Sequence, residues 1–91
     1  YRPQGKTGPL PLVFSYHGGP EGQARPTLSP DAQALAAAGI AVFAPNVRGS
    51  SGFGKAFMAM DDGAKRVDGV RDIKATTDAL VAMGIADPKR L

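Results

Sequence analysis

The chain has 91 residues, 43% hydrophobic and 21% charged, with a formal net charge of +3. That balance suits a single globular unit, and without an apolar run of about 18 residues it excludes a membrane-spanning helix and an extensively disordered chain, so no membrane partner is expected. Basic residues run from Arg2 to Arg90 with acidic ones interleaved from Asp61 onward, which makes no basic stripe and gives no reason to expect nucleic acid as a partner.

Tyr1 to Pro11 carries three prolines and two glycines, the composition of an extended connector. Leu12 to His17 is an apolar run with β-branched and aromatic members, predicted to be a strand covered on both faces. It stops in Gly18-Gly19-Pro20, and the loop continues to Leu28. Ser29 is placed to cap a helix, with Pro30 at its first position, Asp31 at the positive end of the dipole and helix formers to Ala38. Gly39 ends that helix. Ile40 to Ala44 is a second strand closed by Pro45. A strand, a helix and a strand in this order predict parallel strands joined by a crossover helix.

Arg48 to Gly54 is then a loop at the same edge of the sheet as Gly18 and Gly19, so both loops face one crevice. A short helix is predicted over Lys55 to Met60 and a longer one over Lys65 to Met83. In the longer helix Val67, Val70, Ile73, Thr77, Leu80 and Val81 recur at three- and four-residue intervals and read as one buried stripe. Gly84 closes it, and Asp87-Pro88-Lys89-Arg90 is a turn leading to a third strand from about Leu91. The fold class is α/β, with residues 1–11 a connector and 12–91 a strand-helix-strand-helix core. A start without methionine and an end just past a turn are what a segment of a longer protein would show.

Several chemistries can be tested against these elements. The glycines at 49, 52 and 54 are spaced G-x-x-G-x-G, which does not fit a dinucleotide fingerprint, and no phosphate-binding P-loop sequence occurs. Ser50 and Ser51 follow a strand, but neither is flanked by glycines two positions away on both sides, so neither sits in a nucleophile elbow and both read as turn residues. His17 is the only histidine and there is no cysteine, which leaves no convincing metal site and no implied cofactor. The imidazole reads as a partly buried group that shapes the glycine turn.

Four ordered motifs carry a resemblance: Tyr16-His17-Gly18-Gly19-Pro20-Glu21-Gly22-Gln23, Ala44-Pro45-Asn46-Val47-Arg48-Gly49-Ser50-Ser51-Gly52-Phe53-Gly54, Asp68-Gly69-Val70-Arg71-Asp72-Ile73 and Gly84-Ile85-Ala86-Asp87-Pro88-Lys89-Arg90-Leu91. Together they resemble the prolyl oligopeptidase family of serine peptidases, most closely the acylaminoacyl-peptidase and dipeptidyl-peptidase branches. The resemblance implies a partial α/β-hydrolase fold, normally joined to an N-terminal β-propeller. The implied activity is hydrolysis of short peptides or acyl-aminoacyl substrates through an acyl-enzyme. It also implies that the Ser-Asp-His triad lies beyond Leu91, so that this chain alone is inactive. Gly19 is then a backbone N–H donor of the oxyanion hole, in a substrate loop with His17, Gly18 and Pro20. Arg48 has the look of a structural residue bound to Asp72, with Asp68 the rival partner. Tyr16, one position from the tyrosine that some relatives use, should face the other way. A carboxylesterase or lipase, in which His-Gly-Gly also occurs, and a non-catalytic α/β-hydrolase-like binding domain are the alternatives.

Overall fold

Two short strands and the helix between them form the centre of the molecule, for which a computed structural model describes residues 1–19 and 22–91. Pro20, expected in the substrate loop, lies outside the described residues. Strand β1 (Leu12–Phe14) pairs in parallel with β2 (Ala41–Phe43), with Leu12 opposite Ala41 and Phe14 opposite Phe43. Helix α1 (Pro30–Ala37) is the crossover. It begins where the sequence predicts, with the Ser29 hydroxyl accepting from the Ala32 N–H at 3.3 Å and Pro30 in the first turn.

Both strands are shorter than the apolar runs that contain them, for reasons visible in the hydrogen bonds. At the entry to β2, α1 ends in a Schellman cap: Gly39, at φ +86°, donates to the Ala36 carbonyl and Ile40 donates to the Leu35 carbonyl, both at 3.0 Å. Ile40 has its N–H bound to the helix and the strand starts one residue later. At the exit, the Ser15 N–H still reaches the Phe43 carbonyl at 2.9 Å. The next rung of a parallel ladder requires an N–H from residue 45, which Pro45 lacks, so the strands part and Tyr16 and His17 are released into a loop.

The second half of the chain is helical. Helix α2 (Lys55–Met58) passes into two 3₁₀ turns, Ala59–Asp61 and Gly63–Lys65, and these lead into α3 (Arg66–Ala82). The last helix ends in a second Schellman cap, Gly84 donating to Val81 and Ile85 to Leu80, both at 3.0 Å. The cap turns the chain back along β1 on the edge away from β2. There the Leu10 N–H meets the Ile85 carbonyl at 3.0 Å, the Asp87 N–H meets the Leu10 carbonyl at 2.9 Å and the Leu12 N–H meets the Arg90 carbonyl at 3.0 Å. On the far edge of β2 the Val42 N–H bonds the Tyr1 carbonyl at 2.8 Å. The connector and the C-terminal segment thus flank the two strands.

Leu10, Leu12, Ala41, Leu80 and Ala86 make the buried core, with Phe14, Phe43, Val81 and Ile85 packed around it. The apolar stripe of α3 does not follow the sequence reading: Leu80 is buried, but Val67, Val70 and Ile73 are 57%, 61% and 41% exposed. The reason is geometric. A helix of 17 residues is about 25 Å long, whereas strands of three residues extend only about 10 Å, and of the stripe only Leu80 and Val81, in the C-terminal turns, reach the core around β1 and β2.

Candidate functional site

The crevice lies at the C-terminal ends of the two strands, where the loop after β1 meets the loop after β2. Polar groups sew the loops together. The side chain of Asn46 pairs with the backbone of Ala24 as a peptide group would, accepting from its N–H at 2.7 Å and donating to its carbonyl at 3.0 Å. The Ser51 N–H donates to the Gly22 carbonyl at 2.8 Å. His17 reaches across through Nε2, which lies 2.9 Å from Ser50 Oγ, while that hydroxyl donates to the Val47 carbonyl at 2.7 Å. Ser50 is completely buried.

The loop after β2 is in turn fixed to α3 by Arg48. Its backbone N–H donates to Asp72 Oδ2 at 2.9 Å, Nη2 donates to Oδ1 at 2.7 Å, and Nε lies 3.1 Å from both carboxylate oxygens. The hydrogen bonds from the Arg48 side chain hold the Asp72 carboxyl below the usual carboxylate range; its backbone N–H and charge act in the same direction, against the cost of burial. Asp68 turns instead to Arg71, at 3.0 Å on the exposed side of the helix.

A further carboxylate sits beneath the loop. Asp61 is 4% exposed, its nearest cation being Arg66 at 3.9 Å, and it packs directly under Gly49. A Cβ at Gly49 would stand 2.5 Å from the Asp61 carboxyl carbon, and the backbone there has φ +98°. Only glycine meets both conditions. No pattern among the residues points to Asp61 in this place, because a lone Met-Asp-Asp after a short helix reads as a solvated turn.

Between the loops and α3 is a cleft of about 360 Å³, lined by Tyr16, His17, Gly18 and Gly19 on one side and by Arg48, Asp61, Arg66 and Gly69 among others on the opposite side. Tyr16 stacks on Phe14 with ring centroids 6.0 Å apart, as residues two apart on one strand face do, yet it borders the same cleft as His17 because the strand has already ended. Gly18 and Gly19 are exposed, and Gly19 has φ +127°, a conformation that side-chain-bearing residues avoid. Among the described residues neither glycine N–H donates a hydrogen bond to the rest of the chain. Also among the described residues, no group of three or more metal-ligating side chains is gathered, and no helix is long and apolar enough to cross a membrane.

In this arrangement two loops meet at the carboxyl edge of a parallel sheet, with Gly18 and Gly19 bordering a cleft. A sequence model of the prolyl oligopeptidase family matches residues 26–91. The chain belongs to the prolyl oligopeptidase family. Two curated members match over most of its length: the uncharacterized peptidase YuxL of Bacillus subtilis (strain 168), 39% identical over 84 residues, and the acylamino-acid-releasing enzyme of Arabidopsis thaliana, 32% identical over 81 residues. Each alignment takes in 89% of this chain but only 12% and 11% of those proteins. The chain therefore spans about an eighth of the length of its curated relatives. No solved structure matches it. The prolyl oligopeptidase family is one of serine peptidases, and the small α/β unit described above is what these residues of a family sequence form.

Proposed function

We propose that the chain is the early part of the α/β-hydrolase catalytic domain of a serine peptidase, and that it supplies the oxyanion side of the active site. The observation that carries the reading is the pair of glycines after β1, which border a cleft at the carboxyl edge of the sheet with their amides free of partners among the described residues. A backbone N–H aimed at a carbonyl oxygen stabilises the charge that grows there as the carbon becomes tetrahedral, and it does so in a fixed orientation. Gly19 is the donor in this reading. Gly18 and His17 shape the turn, and the second donor and the Ser-Asp-His triad come from a later part of the same protein.

Short peptides or acyl-aminoacyl substrates are the proposed substrate class, supported by the naming of one relative as an acylamino-acid-releasing enzyme. The proposed neighbour in the full-length protein is an N-terminal β-propeller. In this reading the 91 residues alone turn over nothing, because a hole without a nucleophile forms no acyl-enzyme.

The test is Gly19→Val in the full-length protein. The substitution forces a β-branched side chain onto a backbone at φ +127° and so tilts or covers the amide. Losing one such donor lowers kcat by about a hundredfold or more with little change in KM, because the bond strengthens mainly in the transition state. A variant that folds and keeps its kcat would overturn the reading. If the variant does not fold, the wild-type enzyme inactivated with a peptidyl phosphonate decides, since its phosphoryl oxygen must lie within hydrogen-bond distance of the Gly19 nitrogen.

A further inference from the structure

His17 is the only histidine of the chain and lies immediately before the two glycines, yet its geometry does not suit it to proton transfer with substrate. Nε2 is held 2.9 Å from Ser50 Oγ, and Ser50 has no exposed surface. The hydroxyl has one proton, which its 2.7 Å contact places on the Val47 carbonyl. Toward His17 the hydroxyl is therefore the acceptor, and Nε2 carries the hydrogen. Gly22 closes against the other edge of the ring, where a Cβ would stand 3.3 Å from Nδ1. Nδ1 itself lies 3.1 Å from the Gly18 carbonyl. The imidazole is thus fixed at Nε2, the hydrogen there leaving none on Nδ1 of a neutral ring to donate to that carbonyl, and through Ser50 it is anchored to Val47, four residues beyond the end of β2.

We infer that Ser50 and His17 form a positioning pair, in which the buried hydroxyl, through Nε2 of the imidazole, fixes the direction in which the Gly18-Gly19 turn presents its amides to the cleft. This rests on the reading of that turn as the oxyanion side of the site. Pro45 ends the ladder between the strands two residues before the turn begins, so the sheet does not set the turn's orientation. The Asn46 and Ser51 ties hold the loop further along, at Ala24 and Gly22. The Ser50–His17 bond is the side-chain tie made by the residue that leads directly into the glycines. Ser50 and His17 are positioning residues and touch no reacting atom.

The experiment is a double-mutant cycle in the full-length protein with Ser50→Ala, His17→Leu and both together, with His17→Gln as the conservative variant. Each single substitution is expected to lower kcat by about tenfold with KM changed by less than about twofold, since a small misplacement of a donor acts on the transition state. The double variant is expected to fall no further than the worse single, because both remove the same bond. His17→Gln, which keeps an N–H donor at a similar reach, recovers most of the loss. Independent losses that multiply in the double variant, or a change confined to KM, would overturn the inference. So would wild-type kcat in all three variants while Gly19→Val remains impaired, which would leave the oxyanion reading intact. If Gly19→Val is itself unimpaired, it is the oxyanion reading that fails. Should Ser50→Ala not fold, the contrast between His17→Leu and His17→Gln carries the same decision, with equal kcat in the two counting against the bond.

Discussion

The loop cluster at the carboxyl edge of the sheet and the first half of α3 lie side by side, and they are held in opposite ways. The loops bury little apolar surface, but each is tied by polar groups whose partners are fixed: Asn46 on Ala24, Ser50 between His17 and Val47, and Arg48 on Asp72. The N-terminal turns of α3 carry a regular apolar stripe and bury hardly any of it, Val67 and Val70 remaining open while Leu80 at the other end joins the core. A periodic stripe says which face a helix would bury. It does not say that a surface is there to receive it. In the loops the reverse holds, since a hydrogen bond between side chain and backbone is satisfied locally and needs no extended partner surface.

If that contrast is right, the most damaging change in this half of the molecule falls on a loop glycine. Gly49→Ala sets a methyl group 2.5 Å from the carboxyl carbon of a buried Asp61 at a backbone φ of +98°. Steric crowding and backbone strain add, and the expected loss is about 2–4 kcal/mol of local stability. Hydrogen exchange on the full-length protein reads it directly at the Ser50 and Ser51 amides, which donate to Val47 and Gly22 in the native loop. Unchanged protection there would mean that Asp61 moves aside freely and that the loop is less tightly fixed than its contacts indicate.

A smaller effect is expected at the tie between loop and helix. Asp72→Asn keeps one acceptor oxygen but gives up the charged pairing with Arg48. With that guanidinium 33% exposed and partly screened by solvent, the loss at neutral pH is about 1–2 kcal/mol. The pH dependence has a definite sign. A carboxyl held below its ordinary range contributes stability above the unfolded value of about 4 and loses it as pH falls through the lower native value. The gap between wild type and Asp72→Asn, measured as protection of the Gly49 and Ser50 amides, therefore narrows below about pH 4. A gap that widens with acid would show that another group governs the loop.

Much of this architecture was legible in the residues, and what was legible was local. Ser29-Pro30-Asp31 set the start of α1, Gly39 and Gly84 set the two caps, and Pro45 closed the second strand, because in each case one residue's own geometry decides. Predicted strand limits ran two or three residues long for a related reason: hydrophobicity does not reveal that the Ile40 N–H belongs to a helix cap, or that Pro45 removes a rung from its neighbour as well as from itself. The ties between the loops were not legible. Asn46 and Ser50 look like ordinary turn residues until residues 22 and 33 positions away, respectively, are brought beside them. The one available signal was that Asn46 follows a proline at a strand end, where a side chain able to donate and accept can replace a missing peptide partner. Membership of the prolyl oligopeptidase family came from ordered motifs, which record such long-range partners without displaying them.

The smallest effect, and the sharpest statement about α3, comes at Val67. It stands at the second position of the helix and is 57% exposed. Val67→Glu gives up the apolar contact that remains, less than about 1 kcal/mol for a side chain so little covered. Against this, it replaces a β-branched residue by a better helix former, sets a negative charge at the positive end of the dipole and brings a carboxylate within reach of Arg71 four residues on, gains that together are also under about 1 kcal/mol. The opposing terms nearly cancel, and in the 91-residue chain the exchange protection of α3 should change by no more than about 0.5 kcal/mol in either direction. The same substitution in the full-length protein discriminates further. A loss of about 2 kcal/mol or more there would place Val67 against a surface that β1 and β2 do not provide, since burying a glutamate without a partner costs at least that much. The stripe would then be a core face completed by another part of the protein.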